Sequence, residues 1–359
     1  MKNILFITNS LSFGGAAKML VFIANSLSER GHCVSIANLK STVNVTDYER
    51  PVNENITIFR ISSKNKFETI RDLVKIGKQH KTDIIIGFTS FPNLYAKIVG
   101  SMLHIPSIMS ERGDPSRTKG KNKIKNFVFS FIINRSKGGV FQTDGAMAYY
   151  GKGLQKRGIV IPNPIFIKGE IPTVKDEERE KTVVSVGRLD NLQKRYDVML
   201  GAFKIFSEKH PDYTLKLYGR GSDEEQIERW AEELDILDKV KFMGLTTQPM
   251  QDIAKDGMFL ITSDFEGISN SLLEAMAVGL PCVSTDHTPG GARLLIKHGE
   301  NGLLAPVEDK NGLAECMCRF ANDTELASKC GNNAKDVVNR FAPHRIIDMW
   351  ENYIINLCK

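Results

Sequence analysis

The sequence predicts an α/β protein of two Rossmann-like, doubly wound domains. Three observations carry that expectation. Short apolar runs alternate with amphipathic stretches along the whole chain, the pattern of βαβ units around a parallel sheet. Several runs end in polar, glycine-bearing loops, the kind that bind ligands at the C-terminal ends of parallel strands. At 359 residues the chain is longer than one ordinary α/β domain, and two domains of roughly 150–180 residues fit it. The expected division is 1–165, 166–340 and a closing segment 341–359.

Composition narrows the class. The chain is 42% hydrophobic and 25% charged, as a globular protein in water is. No apolar run approaches the roughly 18 residues of a membrane span, and the first residues turn polar too soon for a signal peptide. The six cysteines form no C-x-x-C pair, so free thiols in a reducing cytosol are expected. With no Asp-x-Asp tripeptide, no bound metal is expected. The net charge of +6 conceals an asymmetry. Residues 1–170 carry 25 basic and 11 acidic side chains, a net +14, and the remainder 23 and 31, a net −8. An anionic partner for the first half follows.

In chain order, residues 4–8 are the first strand and lead through Gly14 and Gly15 into a helix over 17–29. Leu20, Ile23, Ala24 and Leu27 share one face of it. Residues 34–37 make the next strand, and because the glycine loop is not G-x-G-x-x-G, a dinucleotide fingerprint is absent. Strands at 56–61 and 83–88 alternate with helices at 66–80 and 93–103. The run ending at Ser110 brings Glu111 to a strand's C-terminal end, either facing a ligand there or as part of a loop cluster with Arg112 and Asp114. Residues 117–137 place a basic lead-in before the apolar Phe127–Ile133. Two readings stand: a core-packed helix, or an interfacial element against an anionic membrane. Strands at 140–143 and 158–161 close this half, and residues 162–164 with the charged run 175–181 mark a linker.

The second half opens with a strand at 182–186. Gly187, Arg188 and Lys194 then share one βα loop, a clamp suited to a diphosphate, with Arg195 as an alternative to Lys194. Strands at 215–218 and 240–244 follow. The most informative stretch is 263–281. An apolar strand reaches Ser263; Glu266 and Gly267 turn the chain; Ser269 or Asn270 caps a helix; Gly279 and Pro281 stop it. Free amides at Ser269, Asn270 and Ser271 and the helix dipole form an anion site. Glu266 and Glu274 flank it as acceptors for hydroxyl groups.

Glu266-Gly267-x6-Glu274-Ala275-Met276-Ala277-x-Gly279-x-Pro281 resembles the Glu-x7-Glu motif of the family 4 retaining glycosyltransferases, of GT-B fold. Gly14-Gly15 and Leu27-x-x-Arg30-Gly31-His32 resemble the N-terminal signature of the same family. The resemblance implies a UDP-hexose or UDP-N-acetylhexosamine donor, with Arg188 and Lys194 on its phosphates. It puts Glu274 on the ribose, Glu266 on the donor sugar and backbone near Met243 on the base. Gly15, Gly267, Ile268, Ser269, Asn270 and Ser271 line the donor. Glu111 falls near a position often held by histidine on the acceptor side, and the closing helix would cross back to the first domain.

A saccharide acceptor, lipid-linked in view of the basic and apolar first half, is the expected partner, in cell-surface polysaccharide assembly. The expected location is cytoplasmic and peripheral on the inner membrane face. A nucleotide-sugar epimerase and a silent subunit of a glycan assembly complex are the alternatives. No nucleic acid is expected, because the lysines form one run without interleaved aromatic residues.

Overall fold

The computed structural model describes residues 1–11, 15–39, 51–63, 65–118, 123–167 and 169–359. The chain divides into two compact units, Met1–Asn163 with His344–Lys359, and Pro164–Pro343.

The first unit holds β1 (Asn3–Thr8), β2 (Cys33–Asn38), β3 (Thr57–Arg60), β4 (Ile84–Phe88), β5 (Ser107–Ser110), β6 (Gly138–Phe141) and β7 (Gly158–Val160). They form one sheet in the order β3-β2-β1-β4-β5-β6-β7, with every neighbouring pair parallel. Strands covered on both faces read as unbroken apolar runs, and all five residues of β4 are buried. The helix Gly15–Glu29 turns Leu20, Ile23, Ala24 and Leu27 inward, the face its sequence presents. Gly15 is its exposed first residue, and Gly14 lies outside the described residues.

The closing helix Pro343–Leu357 packs into this first unit. Ile346, Ile347, Trp350 and Ile354 share a core with Phe6, Leu20 and Phe88, and the Trp350 and Phe88 rings stack at 6.5 Å. Arg30 pairs with Asp348 at 2.7 Å and with Glu351 at 2.5 Å, and His32 contacts Glu351 at 3.0 Å. The basic residues of the N-terminal signature therefore tie down this last helix. Tyr353 accepts from the Gly139 amide at 2.9 Å and donates to the Arg157 carbonyl. A Cβ on Gly138 would strike Tyr353 and Leu357, so the helix docks against a bare backbone there.

The second unit holds β8 (Thr182–Val186), β9 (Thr214–Tyr218), β10 (Val240–Gly244), β11 (Met258–Ile261), β12 (Cys282–Thr285) and β13 (Leu303–Ala305), in the order β10-β9-β8-β11-β12-β13, again all parallel. One core gathers Phe203, Phe206, Leu260 and Met317, and a second gathers Phe259, Leu272, Met276 and Phe341. Leu260 and Phe259 are consecutive, so the two cores lie on opposite faces of the sheet.

Two expectations change. The run 175–181 is not a free linker: Arg179 donates to the carbonyls of Ala254, Asp256 and Gly279 at 3.0–3.2 Å, which docks it on the second unit. The units divide at Asn163/Pro164, within the other expected linker stretch, 162–164. The helix Lys123–Ile133 is core-packed along one edge only, through buried Ile133 and half-buried Phe129. Ile124 and Phe127 are 77% and 70% exposed, and Val128 and Phe131 are also open. Lys119 and Lys121 lie outside the described residues.

Candidate active site

The site grows from two adjacent strands. β8 and β11 pair side by side, through Met258 with Val183 and Phe259 with Val184. On one side of this pair the chain continues to β9, on the other to β12. Such a switch in strand order opens a crevice beyond the strands' C-terminal ends, where ligands bind in open α/β sheets.

The loop after β8 folds into a short helix, Asn191–Lys194, capped by the Asp190 side chain on the Leu192 amide. Arg195 then takes a left-handed conformation, φ 53°, and the helix Tyr196–Lys209 begins. This break turns Lys194 toward the loop after β11. Its Nζ donates to Glu266 Oε1 at 2.8 Å, while Ser263 Oγ donates to Oε2 at 3.3 Å. The backbones are stitched as well. Thr262 Oγ1 donates to the carbonyls of Lys194 and Arg195, and the Asp264 amide donates to the Gln193 carbonyl at 3.0 Å.

Arg195 is committed elsewhere. It pairs with Asp197, with Asp264 at 2.7 Å and with Glu308 at 2.6 Å, and these partners raise its pKa, the Asp197 hydrogen bond most of all. Of the two cations considered for the clamp, Lys194 is the one beside Glu266. Arg188 occupies the same βα loop, but its side chain is 66% accessible and pairs with Asp190 at 3.0 Å.

The loop after β11 enters the helix Asn270–Ala277 with Ser269 as N-cap, its Oγ accepting from the Leu272 amide. Ser269 and Ile268 are buried, whereas Asn270, Ser271 and Glu274 are half-buried. Gly267 does not take a left-handed conformation, so the sharp turn expected of it is made otherwise. The constraint falls on Gly291, where a Cβ would collide with the Gly267 carbonyl. The 286–291 segment thus lies directly on the motif loop, and the Glu266 amide donates to the Thr288 carbonyl at 2.8 Å.

That segment supplies a residue the sequence reading missed. His287 is fully buried, and its Nε2 has no hydrogen-bond partner in the structure. Burial lowers its pKa, against the opposing pull of Glu266. Burial also acts to raise the Glu266 pKa, but Lys194, His287 and the hydrogen bonds from Lys194 and Ser263 outweigh it and leave the carboxyl below its ordinary range. Its place just past the end of β12 was the available signal for His287. Met243, at the edge strand β10, is 43% exposed.

In the first unit, Glu111 follows β5 and is buried, accepting from Tyr150 OH at 2.7 Å and from the Arg112 amide at 3.0 Å. Burial raises its pKa. The Arg112 guanidinium, its pKa lowered by burial to about 9, donates to Asn163 and to the Ile161 carbonyl, and Asp114 accepts from Ser116. Each member of the proposed loop cluster thus has a partner outside it.

Comparison with known proteins agrees with this architecture. Residues 168–337 match the family model for glycosyl transferases group 1. An uncharacterized glycosyltransferase of Haemophilus influenzae is 25% identical over 358 residues, covering 97% of this chain and 98% of its own. A Campylobacter jejuni α-1,4-N-acetyl-D-galactosaminyltransferase, named for a GalNAc- and diNAcBac-bearing diphospho-undecaprenol, is 26% identical over 362 residues, covering 98% and 97%. Anabaena Alr3699/HepE, solved with UDP, superposes with a TM-score of 0.82 at 18% identity over 99% of this chain and 100% of its own. The chain has the two-domain GT-B fold of these structures, and the stretch that matches the glycosyl transferases group 1 model lies within its second unit.

Proposed function

We infer that this protein is a retaining glycosyltransferase of the family 4 type. It moves a hexose or N-acetylhexosamine from a UDP-sugar to a saccharide acceptor, lipid-linked, in cell-surface polysaccharide assembly. The observation that carries this reading is the Lys194–Glu266 pair at the strand switch of the second sheet, beside the start of the helix Asn270–Ala277.

In this reading the donor diphosphate lies over the helix start, where the amides of Ser269, Asn270 and Ser271 and the helix dipole favour an anion. Lys194 and Arg188 neutralise the charge that grows on the departing diphosphate, a preorganised effect worth several kcal/mol. No metal is needed for that task. Glu266, held anionic, accepts from donor-sugar hydroxyls, and Glu274 accepts from the ribose. Backbone at Met243 meets the base. Two carboxylates here do not imply glycosidase chemistry, because the leaving group is already a good one.

Two relatives support the substrate class: the Campylobacter enzyme is named for a diphospho-undecaprenol acceptor, and HepE was also solved with UDP-glucose. Among the described residues no helix is long and apolar enough to cross a membrane. Contact with a lipid-borne acceptor would then be peripheral, through the exposed apolar face of the helix Lys123–Ile133 and the basic residues around it, from the cytoplasmic side.

A thermal-shift panel of nucleotide sugars tests the reading. A UDP-sugar should raise the melting point in buffer containing EDTA, and GDP- and ADP-sugars should raise it less. No shift with any nucleotide sugar would overturn the assignment. Release of UDP with inversion at the transferred carbon would overturn its retaining part.

A further inference from the structure

A second concave site lies in the first unit, away from the strand ends that carry Glu111. A pocket of about 500 Å³ is lined by Lys2, Lys97, His104, Arg135, Lys137 and Lys359, with Asp83 as the acidic side chain among them. It sits at the N-terminal edge of the sheet: Lys2 precedes β1, Asp83 precedes β4 and Lys137 precedes β6. β5, with Ser107 at its start in the pocket and Glu111 just past its end, separates the two by roughly 13 Å, at about 3.3 Å per residue.

The basic side chains of the pocket outnumber its acidic one. Asp83 is already engaged, its Oδ2 accepting from the Asn3 amide at 2.7 Å. Among the described residues, none of Lys2, Lys97, Arg135, Lys137 and Lys359 forms an ion pair. Lys97 is half-buried among them, and burial followed by the nearby Arg135 and Arg157 lowers its pKa. Several cations crowded around a concave surface raise the local potential and favour an anion with several acceptor oxygens.

An apolar surface adjoins this charge. The Arg135 guanidinium lies 3.3 Å from the centroid of the Phe131 ring, and its Nη1 donates to the Phe131 carbonyl at 2.8 Å. Phe131 stacks on Phe127 at 6.3 Å, and with Ile124 and Val128 these rings form the exposed face of the helix Lys123–Ile133. One arginine thus stands at the border between a basic pocket and an apolar stripe. A phosphate joined to an acyl chain has that same division.

We propose that the pocket binds the phosphate of an anionic membrane lipid while the exposed face of the helix Lys123–Ile133 enters the adjoining acyl layer. This rests on the peripheral membrane contact inferred above and adds a specific headgroup site to it. The site holds the protein on the bilayer by groups separate from those that handle donor and acceptor.

Vesicle flotation with the full chain tests it, using phosphatidylcholine alone and phosphatidylcholine with phosphatidylglycerol. Wild type should float with the mixed vesicles and much less with the neutral ones. Lys97→Gln/Lys137→Gln should lose roughly thirtyfold in vesicle affinity, at about fivefold per basic residue near the surface. Lys209→Gln/Lys255→Gln, which removes two exposed charges from the second unit, should float as wild type does. Phe127→Ser/Phe131→Ser should also float poorly, and unchanged circular dichroism would show that each variant is folded.

Equal flotation with both vesicle types overturns the proposal, and so does an equal loss in the Lys209/Lys255 control, which would mean diffuse attraction. Preference for a single-stranded oligonucleotide over the vesicles overturns it too. If the Phe127/Phe131 variant fails to float but the Lys97/Lys137 variant floats normally, membrane contact stands and the headgroup site falls. Thermal shift of the wild type by UDP-sugars reports the transferase reading independently.

Discussion

Glu266 and Glu111 are both carboxylates at the C-terminal ends of parallel strands, and their surroundings drive them in opposite directions. Glu266 in the second unit has a lysine at 2.8 Å and a serine hydroxyl, and stays ionised below its ordinary range. Glu111 in the first unit is buried with a neutral tyrosine, and burial raises its pKa. Burial acts on both; at Glu266 the hydrogen-bonded Lys194 and its neighbours outweigh it, whereas at Glu111 the Tyr150 and backbone hydrogen bonds and Arg112 do not. A carboxylate held as an anion suits accepting hydrogen bonds from a sugar. One whose pKa burial raises is the better suited to taking up a proton from an acceptor hydroxyl.

The largest expected break in this contrast is Lys194→Ala. It leaves Glu266 buried without its cation and should cost about 3 kcal/mol in urea unfolding. On the proposed role of Lys194 at the donor diphosphate, its loss should also lower donor turnover by roughly a hundredfold or more. Glu266→Gln in the same assay leaves Lys194 without its counter-charge, but the amide oxygen can still accept from Nζ, so it should cost less than Lys194→Ala does.

Glu274→Gln comes next. It should leave the unfolding curve within about 0.5 kcal/mol of wild type while lowering kcat/KM for the donor roughly tenfold to a hundredfold, the range for a hydrogen bond to a charged acceptor. Wild-type turnover would remove Glu274 from the site.

Tyr150→Phe sharpens the other side. The Tyr150 hydrogen bond lowers the Glu111 pKa, so its loss should raise that pKa further and cost about 1 kcal/mol of stability. If Glu111 must ionise for transfer, the acid limb of the kcat/KM profile moves to higher pH. An unmoved limb means that Glu111 only positions the acceptor.

The smallest effect is in the pH dependence of stability, and the two glutamates should contribute with opposite sign. The Glu266 pKa is lowered on folding, so its contribution is complete above about pH 4.5 and is lost as pH falls through the folded value. Glu266→Gln should flatten the acid-side slope of stability. The Glu111 pKa is raised, so its ionisation weakens the fold as pH climbs from about 4.5 through the folded value. Glu111→Gln should remove that decline. Urea midpoints from about pH 2 to pH 8 read both slopes, Glu266 below about pH 4.5 and Glu111 above it.

Much of this was legible in the sequence because it depends on local order. The apolar runs became strands, and Ser269 capped the motif helix where the Ser-Asn-Ser tract allowed it. What escaped depends on residues distant in sequence. Nothing near Arg195 foretells its capture by Asp264 and Glu308, 69 and 113 residues away. His287 matters only because β12 lies beside β11. The apolar run Phe127–Ile133 was visible in the sequence, but not that Phe127, Val128 and Phe131 stay exposed in the described chain. Composition suggested a linker at 175–181, but Arg179 found three carbonyls to bind.

The helix Pro343–Leu357 completes the interior of a unit whose other residues are the first 163. On the ribosome, β1 to β7 emerge long before Trp350 exists to fill the space beside Phe88. The earlier-made unit must therefore wait, incompletely closed, until this helix has emerged. Chaperones would meet the nascent chain in that interval.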